Sequence, residues 1–457
     1  MLVTGRKLPI GIQTFEDIRN DGYLYVDKTA LMWTIANIGK PFFLSRPRRF
    51  GKSLLISTFE AYFKGRRELF TGLAVEELEK KWEEHPVLHL DLNARKYTTP
   101  ADLDAILNQH LERWEAVYGE EKRDRASEER FAYVIRRASE QTGKGVVVLV
   151  DEYDKPILDV LDVDKSLEEE HRNILKSFYS VFKGADEHLQ FVFLTGVTKF
   201  SQVSVFSGFN QPFDISMHGR YETLCGITQE ELDVTFREPM ESMAEVYQCS
   251  YEEMRNRLKA QYDGYHFSKN MTDIYNPFSL LNAFATLDIS DYWFKSGTPT
   301  YLIRLLSHTN ENMDEITGKF YFPEEFIDYK ANVEQPLPMI YQSGYLTIKK
   351  FDLRRNMFLL DYPNDEVKKG FLSLVASSYF NTRESIYSWV NNAAYQLEGG
   401  KLDDFRTGLT SFLASIPYTM RRKENERERE RYFHYTFYLL LRLLSVYTVY
   451  TEKVQSQ

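Results

Sequence analysis

Cysteine is scarce in this chain, which has only Cys225 and Cys249 among its 457 residues. Two cysteines are too few for a disulfide framework or for a zinc site of their own, which excludes the small disulfide-rich and zinc-finger classes and favours a reducing cytoplasm. Basic charge is not in excess either. The net charge of −10 argues against the whole molecule coating nucleic acid, although a local basic groove is compatible with it.

Long apolar runs are also missing. The longest, 432–450, contains His434, Arg442 and several hydroxyl groups and is too polar to span a bilayer. The N-terminal residues MLVTGRKLPIG lack the apolar core of a signal peptide. We therefore expect a soluble cytoplasmic protein that has no membrane partner.

Aromatic residues, by contrast, are abundant. The chain has 30 tyrosines and 32 phenylalanines and is 43% hydrophobic, a composition that disordered chains do not have. The length predicts about two to four domains, each large enough to bury a core of its own. These features are typical of a globular protein.

Residues 41–63, PFFLSRPRRFGKSLLISTFEAYF, have the pattern of a phosphate-binding loop. A short apolar strand, Phe42–Leu44, leads through a basic turn to Gly51-Lys52-Ser53, after which apolar residues recur with helical spacing. Backbone N–H groups of such a turn point at phosphates, the lysine reaches the β/γ oxygens, and the serine hydroxyl holds Mg²⁺. We predict that this loop contacts a polyphosphate through Arg48, Arg49, Phe50, Gly51, Lys52, Ser53 and Leu54, with Lys52 acting on the reacting phosphate.

The first glycine of the usual pattern G-x-x-x-x-G-K-[ST] is replaced here by Arg46. That glycine normally permits an unusual turn conformation. We expect Pro47, at the next position, to fix the loop instead through its restricted φ angle. The alternative interpretation is a plain strand–helix junction that binds no phosphate.

An acidic pair follows a second strand, which is apolar throughout. Val146–Val150 is a largely β-branched run, typical of a central parallel strand covered on both faces. Asp151 and Glu152 come at its carboxyl end, where doubly wound sheets build their sites. We predict that Asp151 binds Mg²⁺ opposite Ser53 and that Glu152 orients and polarises the attacking water. The alternative is that the pair only caps a helix.

Another buried strand, Leu189–Leu194, ends in Thr195-Gly196-Val197-Thr198. A hydroxyl at the tip of the strand beside the acidic strand can hydrogen-bond the γ-phosphate or the attacking water. Thr195 and Thr198 are both candidates for this sensing role, and the sequence does not rank them. Either hydroxyl could instead cap the next turn.

The order of the strands favours ATP over GTP. An additional strand, Val87–Leu92, lies in sequence between the loop strand and the acidic strand, and a glutamate directly follows the aspartate, a combination that favours ATPases with a catalytic glutamate. The guanine-reading motif N-K-x-D is absent from the sequence. Phe15, Tyr23 and Tyr25 are candidates to border the adenine, with ordinary core packing as the alternative.

From Thr228 onward the pattern predicts helices. The capping-box sequence Thr228-Gln229-Glu230-Glu231 begins a region that has the pattern of a lid packed on the nucleotide domain. Later, two strands flank Arg354-Arg355-Asn356 and predict a hairpin, and helices followed by a basic hairpin suggest a winged-helix element. The basic residues of this hairpin either contact DNA phosphates or form a solvated edge, and they are Lys349, Lys350, Arg354 and Arg355.

Seven segments together resemble the bacterial AAA-ATPase-like proteins that are fused to a PD-(D/E)XK nuclease-like domain. They are GYLYVDKT, FLSRPRRFGKSL, VLVDEYDKP, FLTGVTKFS, DGYHF, YNPFSLL and SGYLTIK. The resemblance extends over nearly the whole chain, and RPRRFGKS is its most specific motif. In that family a substituted first glycine of the phosphate-binding loop is normal.

The resemblance implies an α/β fold in which a P-loop NTPase parallel sheet, flanked by helices, occupies residues 1–225. A helical lid and winged-helix-like region would follow at 226–420, and the start of a nuclease-like α/β domain at 421–457. In that last part a charged helix would begin near Glu424, with Glu428 or Glu430 facing the site and a strand reaching Glu452. The metal-binding aspartate and the E-x-K of the nuclease would lie beyond Gln457, so we expect no nuclease activity from this chain.

The expected function is Mg²⁺-dependent binding and hydrolysis of ATP, coupled to a nucleic-acid-related module. The alternative is an ATP-dependent switch that turns over little ATP and acts on a protein or DNA partner. An oligomer is compatible with either function, because the arginine that completes such a site often comes from a neighbouring subunit.

Overall fold

The computed structural model describes residues 2–3, 6–39, 41–120, 125–200, 212–297, 301–303, 316–327, 336–380, 386–415 and 436–444. The strands are β1 (Leu2–Val3), β2 (Arg6–Lys7), β3 (Phe42–Ser45), β4 (Val87–Asp91), β5 (Val146–Asp151), β6 (Leu189–Gly196), β7 (Phe213–Asp214), β8 (Ile227–Thr228), β9 (Ile274–Tyr275), β10 (Lys319–Tyr321), β11 (Thr347–Asp352) and β12 (Met357–Asp361).

Helices alternate with the strands in the first half of the chain and dominate the second half. They are α1 (Phe15–Asn20), α2 (Thr29–Ile38), α3 (Lys52–Phe63), α4 (Ala74–Leu78), α5 (Pro100–Tyr118), α6 (Ser127–Thr142), α7 (Lys155–Val160), α8 (Lys165–Gly184), α9 (Gln229–Thr235), α10 (Arg237–Val246), α11 (Tyr251–Tyr262), α12 (Pro277–Thr286), α13 (Tyr292–Lys295), α14 (Pro323–Phe326), α15 (Leu337–Gln342), α16 (Asp365–Phe380), α17 (Ile386–Glu398), α18 (Leu402–Ser415) and α19 (436–443).

The centre of the fold is a five-stranded sheet in the order β4-β5-β6-β3-β7, and every pairing in it is parallel. Strand β5 is buried along its whole length, as its run of apolar residues predicts for a strand covered on both faces. The register pairs Val150 of β5 with Leu194 of β6, so the acidic pair and Thr195 end at the same edge of the sheet. The predicted parallel sheet of a P-loop NTPase-like α/β fold is confirmed.

Helices pack against this sheet through aromatic side chains. The ring of Phe59 on α3 lies 5.1 Å from that of Phe191 and 4.9 Å from that of Phe193, both on β6. Helices α6 and α8 pack against each other through Phe131 and Phe178, whose stacked rings have centroids 4.4 Å apart. These residues lie on the apolar faces of amphipathic helices, which is why the helices cover the sheet.

Helices α9 to α12 enclose a hydrophobic cluster of their own, which includes Leu232, Met240 and Leu258. The predicted capping box begins α9: the amide of Glu231 donates to Oγ1 of Thr228 over 3.3 Å, and the Thr228 amide donates to Oε2 of Glu231 over 2.8 Å. A separate apolar cluster is what allows these helices to fold as a layer beside the sheet.

The predicted hairpin is present as β11 and β12, which pair antiparallel around residues 353–356. Strand β10 also pairs with β12, so the hairpin belongs to a three-stranded sheet in the order β10-β12-β11, and this third strand was not predicted. A winged-helix assignment for this region stays a prediction.

The proposed start of a nuclease domain falls mostly outside the described residues. Glu424, Glu428 and Glu430, together with the predicted strand that reaches Glu452, all lie there, and α19 is the part of 421–457 that the structure describes as helical. No helix within the described ranges is long and apolar enough to cross a membrane.

Candidate functional site

A cavity of about 680 Å³ opens at the edge of the sheet where β3 and β5 end. The phosphate-binding loop (P-loop, residues 46–53) and the first turn of α3 form one wall, through Gly51, Lys52 and Ser53. Glu152, after β5, and Val197, after β6, line the opposite part. The structure therefore brings the two predicted motifs to one cavity, although they are about 100 residues apart in the sequence.

The P-loop takes its shape from two residues with a left-handed backbone. Arg49 has a φ of 69° and Gly51 a φ of 91°, and Gly51 is the N-cap of α3. The Lys52 ammonium donates to the carbonyl oxygens of Arg46 and Pro47 over 3.1 Å and 3.3 Å, so the lysine braces its own loop. The first amides of α3 have no partner within the helix, because a helix leaves its first turn unpaired. A helix end of this kind attracts anions.

Arg46 shows how this loop is held without the usual first glycine. Its φ is negative, and its side chain is buried away from the cavity. The guanidinium donates to the carbonyls of Ser45 over 2.9 Å and Ser216 over 2.7 Å, and it lies 4.1 Å from the ring centre of Phe267. The position therefore needs no glycine, and the arginine attaches the P-loop to a distant part of the chain.

Phe50 is placed differently from the rest of the predicted phosphate contacts. Its side chain is buried and does not line the cavity; its ring packs edge-on against those of Tyr265 and Phe267, at 4.8 Å and 5.5 Å. The predicted contact of the Phe50 side chain with a phosphate is therefore not supported. The other residues of the predicted set all line the cavity, and they are Arg48, Arg49, Gly51, Lys52, Ser53 and Leu54.

Asp151 and Glu152 differ in burial and therefore in chemistry. Burial raises the pKa of Asp151 to about 6, and a hydrogen bond from Ser53 opposes that rise. Oδ1 of Asp151 is buried without a hydrogen-bond partner among the described residues. Glu152 is partly exposed, its φ is 54°, and its Oε1 lies 3.9 Å from the Lys52 ammonium. A left-handed backbone at a non-glycine residue is strained, and such strain is concentrated at functional sites.

The residues present fit a magnesium ion. The carboxylate of Asp151 accepts a hydrogen bond from Ser53, and its Oδ1 has no partner among the described residues. Carboxylate and hydroxyl groups are the hard oxygen ligands that Mg²⁺ prefers. No group of three or more His, Cys, Asp or Glu side chains that could hold a metal occurs in the described parts of the chain. Mg²⁺ commonly takes one or two protein ligands together with substrate phosphates, so this sparse set suits it.

The structure separates the two threonines that the sequence left unranked. Oγ1 of Thr195 is buried and has no hydrogen-bond partner within the described residues. Oγ1 of Thr198 faces Sδ of Met339 at 3.6 Å, and the Thr198 amide is bound by Asp154. Neither threonine is among the residues that line the cavity, but the Thr195 hydroxyl, unlike that of Thr198, has no hydrogen-bond partner in the described part of the chain.

The apolar end of the cavity is built, apart from the predicted Leu54, from residues that sequence reasoning missed. Residues 9–13, Leu54 of α3 and Phe278 and Leu281 of α12 line it. The Arg49 guanidinium lies 5.0 Å from the ring centre of Phe278. The YNPFSLL segment could have indicated this part of the cavity. Its Asn276 accepts a hydrogen bond from the Phe278 amide and so caps α12, and Phe278 lines the cavity.

The aromatic residues suggested for the base lie elsewhere. Phe15 is fully buried in the main core, and Phe15, Tyr23 and Tyr25 are absent from the cavity wall. The ring of Phe15 packs against Tyr25 at 5.1 Å and Phe70 at 4.8 Å. The alternative of ordinary core packing is therefore correct for Phe15, and the suggested role in bordering adenine is not supported for any of the three.

The basic hairpin residues divide into two pairs. The Lys349 ammonium donates to the carbonyls of Gly264 over 3.1 Å and Pro363 over 2.7 Å, so it is engaged inside the protein. Arg355 pairs with Asp352 over 3.1 Å. Lys350 and Arg354 are exposed.

The sequence of this chain is similar to those of known proteins. The sequence profile of the family described as "Predicted AAA-ATPase" matches residues 9–206, which contain the P-loop, the acidic pair and the end of β6. The protein of Azotobacter chroococcum mcd 1 described as "Uncharacterized protein in vnfD 5'region" is 35% identical over 439 residues, covering 95% of this chain and 82% of that protein.

A solved structure, that of the ORC2 protein of Aeropyrum pernix in ADPNP–ADP complexes, is 11% identical. The match covers 79% of this chain and 98% of that one, with a TM-score of 0.28, a similarity too low to carry an argument. This chain belongs to the same family as the Azotobacter chroococcum protein, and its residues 9–206 match the family described as "Predicted AAA-ATPase".

Proposed function

We propose that this protein binds Mg²⁺-ATP in the cavity at the P-loop and hydrolyses it. The observation that carries the proposal is the position of the Lys52 ammonium, which lies at the start of α3 and 3.9 Å from Oε1 of Glu152. A cation for the phosphates and a carboxylate for the water thus share one cavity. Hydrolysis of ATP requires mainly positioning and neutralisation of charge, and these groups supply both.

The division of roles follows from charge and position. Lys52 binds the β/γ oxygens, and Arg48 and Arg49 neutralise further phosphate charge. Asp151 and Ser53 hold Mg²⁺, which supplies Lewis-acid stabilisation of the phosphate oxygens when bound. The carboxylate of Glu152 accepts a hydrogen bond from the attacking water and orients it.

The nucleotide runs from the P-loop toward the apolar end of the cavity. There the base contacts Phe278, Leu281 and residues 9–13, a set of apolar side chains and exposed backbone that suits a purine ring. We assign the sensing of the γ-phosphate or the water to the hydroxyl of Thr195, because this hydroxyl has no hydrogen-bond partner among the described residues.

A switch with little turnover is the second candidate, and contacts on the outer side of the P-loop favour it. Phe50 packs on Tyr265 and Phe267, and Pro47 lies against Gly344, which precedes the hairpin. A change in the P-loop on nucleotide binding would therefore reach the hairpin, whose exposed Lys350 and Arg354 are the groups offered to DNA. Duplex DNA that raises ATP turnover would support coupling to nucleic acid, and an unchanged rate would favour a protein partner.

Binding is tested first, with a fluorescent ATP analogue and purified protein in the presence of Mg²⁺. We expect Lys52→Ala to weaken binding at least about tenfold, because the ammonium contacts the most highly charged part of the ligand. Lys183→Ala, which removes an exposed lysine at the end of α8, is the matched control and should bind as the wild type does. Unlabelled ATP should displace the analogue better than GTP. Equal binding by Lys52→Ala and the wild type would refute the proposed site.

A further inference from the structure

A third carboxylate, Asp154, follows the acidic pair and has no part in the mechanism above. Its side chain is fully buried, and its Oδ2 accepts hydrogen bonds from the amides of Val197 over 3.0 Å and Thr198 over 2.6 Å. Its Oδ1 has no hydrogen-bond partner among the residues that the structure describes. Asp154 thus connects the segment after β5 to the segment after β6.

The two segments are interlocked by further contacts. The Tyr153 amide donates to the carbonyl of Thr195 over 3.0 Å, and the Tyr153 hydroxyl donates to the carbonyl of Thr198 over 2.7 Å. Gly196 lies against the carboxylate of Asp154 and the ring of Tyr153. A Cβ on Gly196 would overlap Oδ1 of Asp154 and lie 2.7 Å from Cδ1 of Tyr153. Residues 195–198, which we call the sensor loop, are therefore held by the two residues that directly follow Glu152.

A carboxylate is a costly way to make this connection. Burying a charged group carries a large desolvation penalty, which two amide donors offset only in part. Burial accordingly raises the pKa of Asp154 to about 7. An apolar side chain would pack here at lower cost, so stability alone does not account for a polar residue. What Asp154 adds is a side-chain oxygen that accepts hydrogen bonds from two consecutive amides.

We propose that Asp154 is a positioning residue for ATP hydrolysis. It fixes the sensor loop against the segment that follows Glu152, so that Val197, which lines the cavity, and the rest of the loop keep one position relative to the carboxylate of Glu152. Asp154 touches neither the water nor the nucleotide. The inference rests on the function proposed above and adds a residue to it.

If Asp154 is a positioning residue, two substitutions at this position should have different effects. In Asp154→Asn the amide oxygen can still accept both backbone hydrogen bonds, whereas Asp154→Ala removes the acceptor. We expect kcat for ATP to fall at least about tenfold in Asp154→Ala, because small misplacements of reacting groups are costly, while the dissociation constant of the ATP analogue stays within about threefold of wild type. Asp154→Asn should keep kcat within about threefold of the wild-type value.

A second readout does not depend on activity. Hydrogen exchange at the amides of Val197 and Thr198, measured in the nucleotide-free full chain, should accelerate at least about tenfold in Asp154→Ala and stay slow in Asp154→Asn. If the wild type does not hydrolyse ATP, the proposed function fails, but the exchange experiment still tests the connection. Slow exchange in Asp154→Ala would overturn the inference. So would fast exchange with unchanged kcat, or a parallel loss of binding and kcat, since both describe a structural residue.

Discussion

Gly344 lies directly against Pro47 of the P-loop. A Cβ placed on Gly344 would come within 2.6 Å of Cβ and 2.7 Å of Cγ of Pro47, and Gly344 has a φ of 88°. The outer wall of the P-loop is thus supplied by a segment almost 300 residues later in the chain. This contact joins the SGYLTIK segment to the P-loop.

Substituting Gly344 tests whether this wall shapes the P-loop. Gly344→Ala meets both a strained backbone and the ring of Pro47, so we expect it to lower the free energy of unfolding by roughly 1–3 kcal/mol more than strain alone. It should also weaken binding of the ATP analogue, because the loop must shift. Gly400→Ala is the matched control, since Gly400 has a φ of 68° and open space around it. Equal effects of the two substitutions on stability and binding would contradict this account.

Restoring the usual glycine of the phosphate-binding motif should harm this protein. Arg46→Gly leaves the carbonyls of Ser45 and Ser216 without their buried donor and removes the contact with Phe267. We expect a loss of roughly 2–6 kcal/mol in the free energy of unfolding, since each buried carbonyl that loses its donor costs about 1–3 kcal/mol. Denaturant unfolding measures it.

Two further variants serve as controls for Arg46→Gly. Arg46→Lys keeps the charge but cannot reach several carbonyls at once, so its loss of stability should be intermediate. Arg220→Gly, at an exposed position, measures the cost of the glycine itself, about 1 kcal/mol. A variant Arg46→Gly that is as stable as the wild type would show that the arginine does not attach the loop.

Glu366 predicts a specific dependence of stability on pH. Its Oε2 accepts from Oγ of Ser279 over 2.8 Å and its Oε1 from the Trp293 amide over 2.6 Å, and burial raises its pKa to about 7. The folded protein therefore binds this proton more tightly than the unfolded chain does. The contribution of Glu366 to the free energy of unfolding falls as pH rises from the ordinary pKa of 4.5 toward 7 and stays lost above it.

The variant Glu366→Gln removes that proton equilibrium and keeps the shape. We expect it to be more stable than the wild type at pH 8, by at most about 3 kcal/mol, with the advantage largely gone at pH 5. Urea unfolding at the two pH values measures the difference. Glu245→Gln, on the exposed side of α10, should shift stability equally at both pH values. An advantage of Glu366→Gln that is greatest at pH 5 would reverse the sign and disprove the assignment.

Local patterns were sufficient to predict much of this fold. The apolar, largely β-branched run Val146–Val150 predicts a strand covered on both faces, and β5 is buried throughout. Gly51-Lys52-Ser53 likewise lies at the start of α3, as its position between an apolar strand and a helical pattern predicts. The capping box at Thr228 needs only four residues in a row.

Long-range contacts were not predictable in the same way. Arg46 was interpreted as a departure from a motif, because nothing near it in sequence reveals that Ser216 and Phe267 receive its side chain. Asp154 was passed over because its partners, the amides of Val197 and Thr198, carry no side-chain signal. Phe15, suggested as a contact for the base, lies in the core instead. The sequence could not show this, because a single aromatic residue has the same pattern in a core and beside a bound base.

Steady-state ATP hydrolysis by the wild type and by Glu152→Gln tests the central claim most directly. Glutamine preserves the size and backbone preference of the residue but cannot act as a base, and the contribution of such a group to the rate is about 10²–10⁴-fold. The account predicts Mg²⁺-dependent turnover by the wild type, and a loss of at least about 100-fold in Glu152→Gln with binding of the ATP analogue retained. Wild-type turnover in Glu152→Gln, or a wild type that binds ATP without hydrolysing it, would contradict the account.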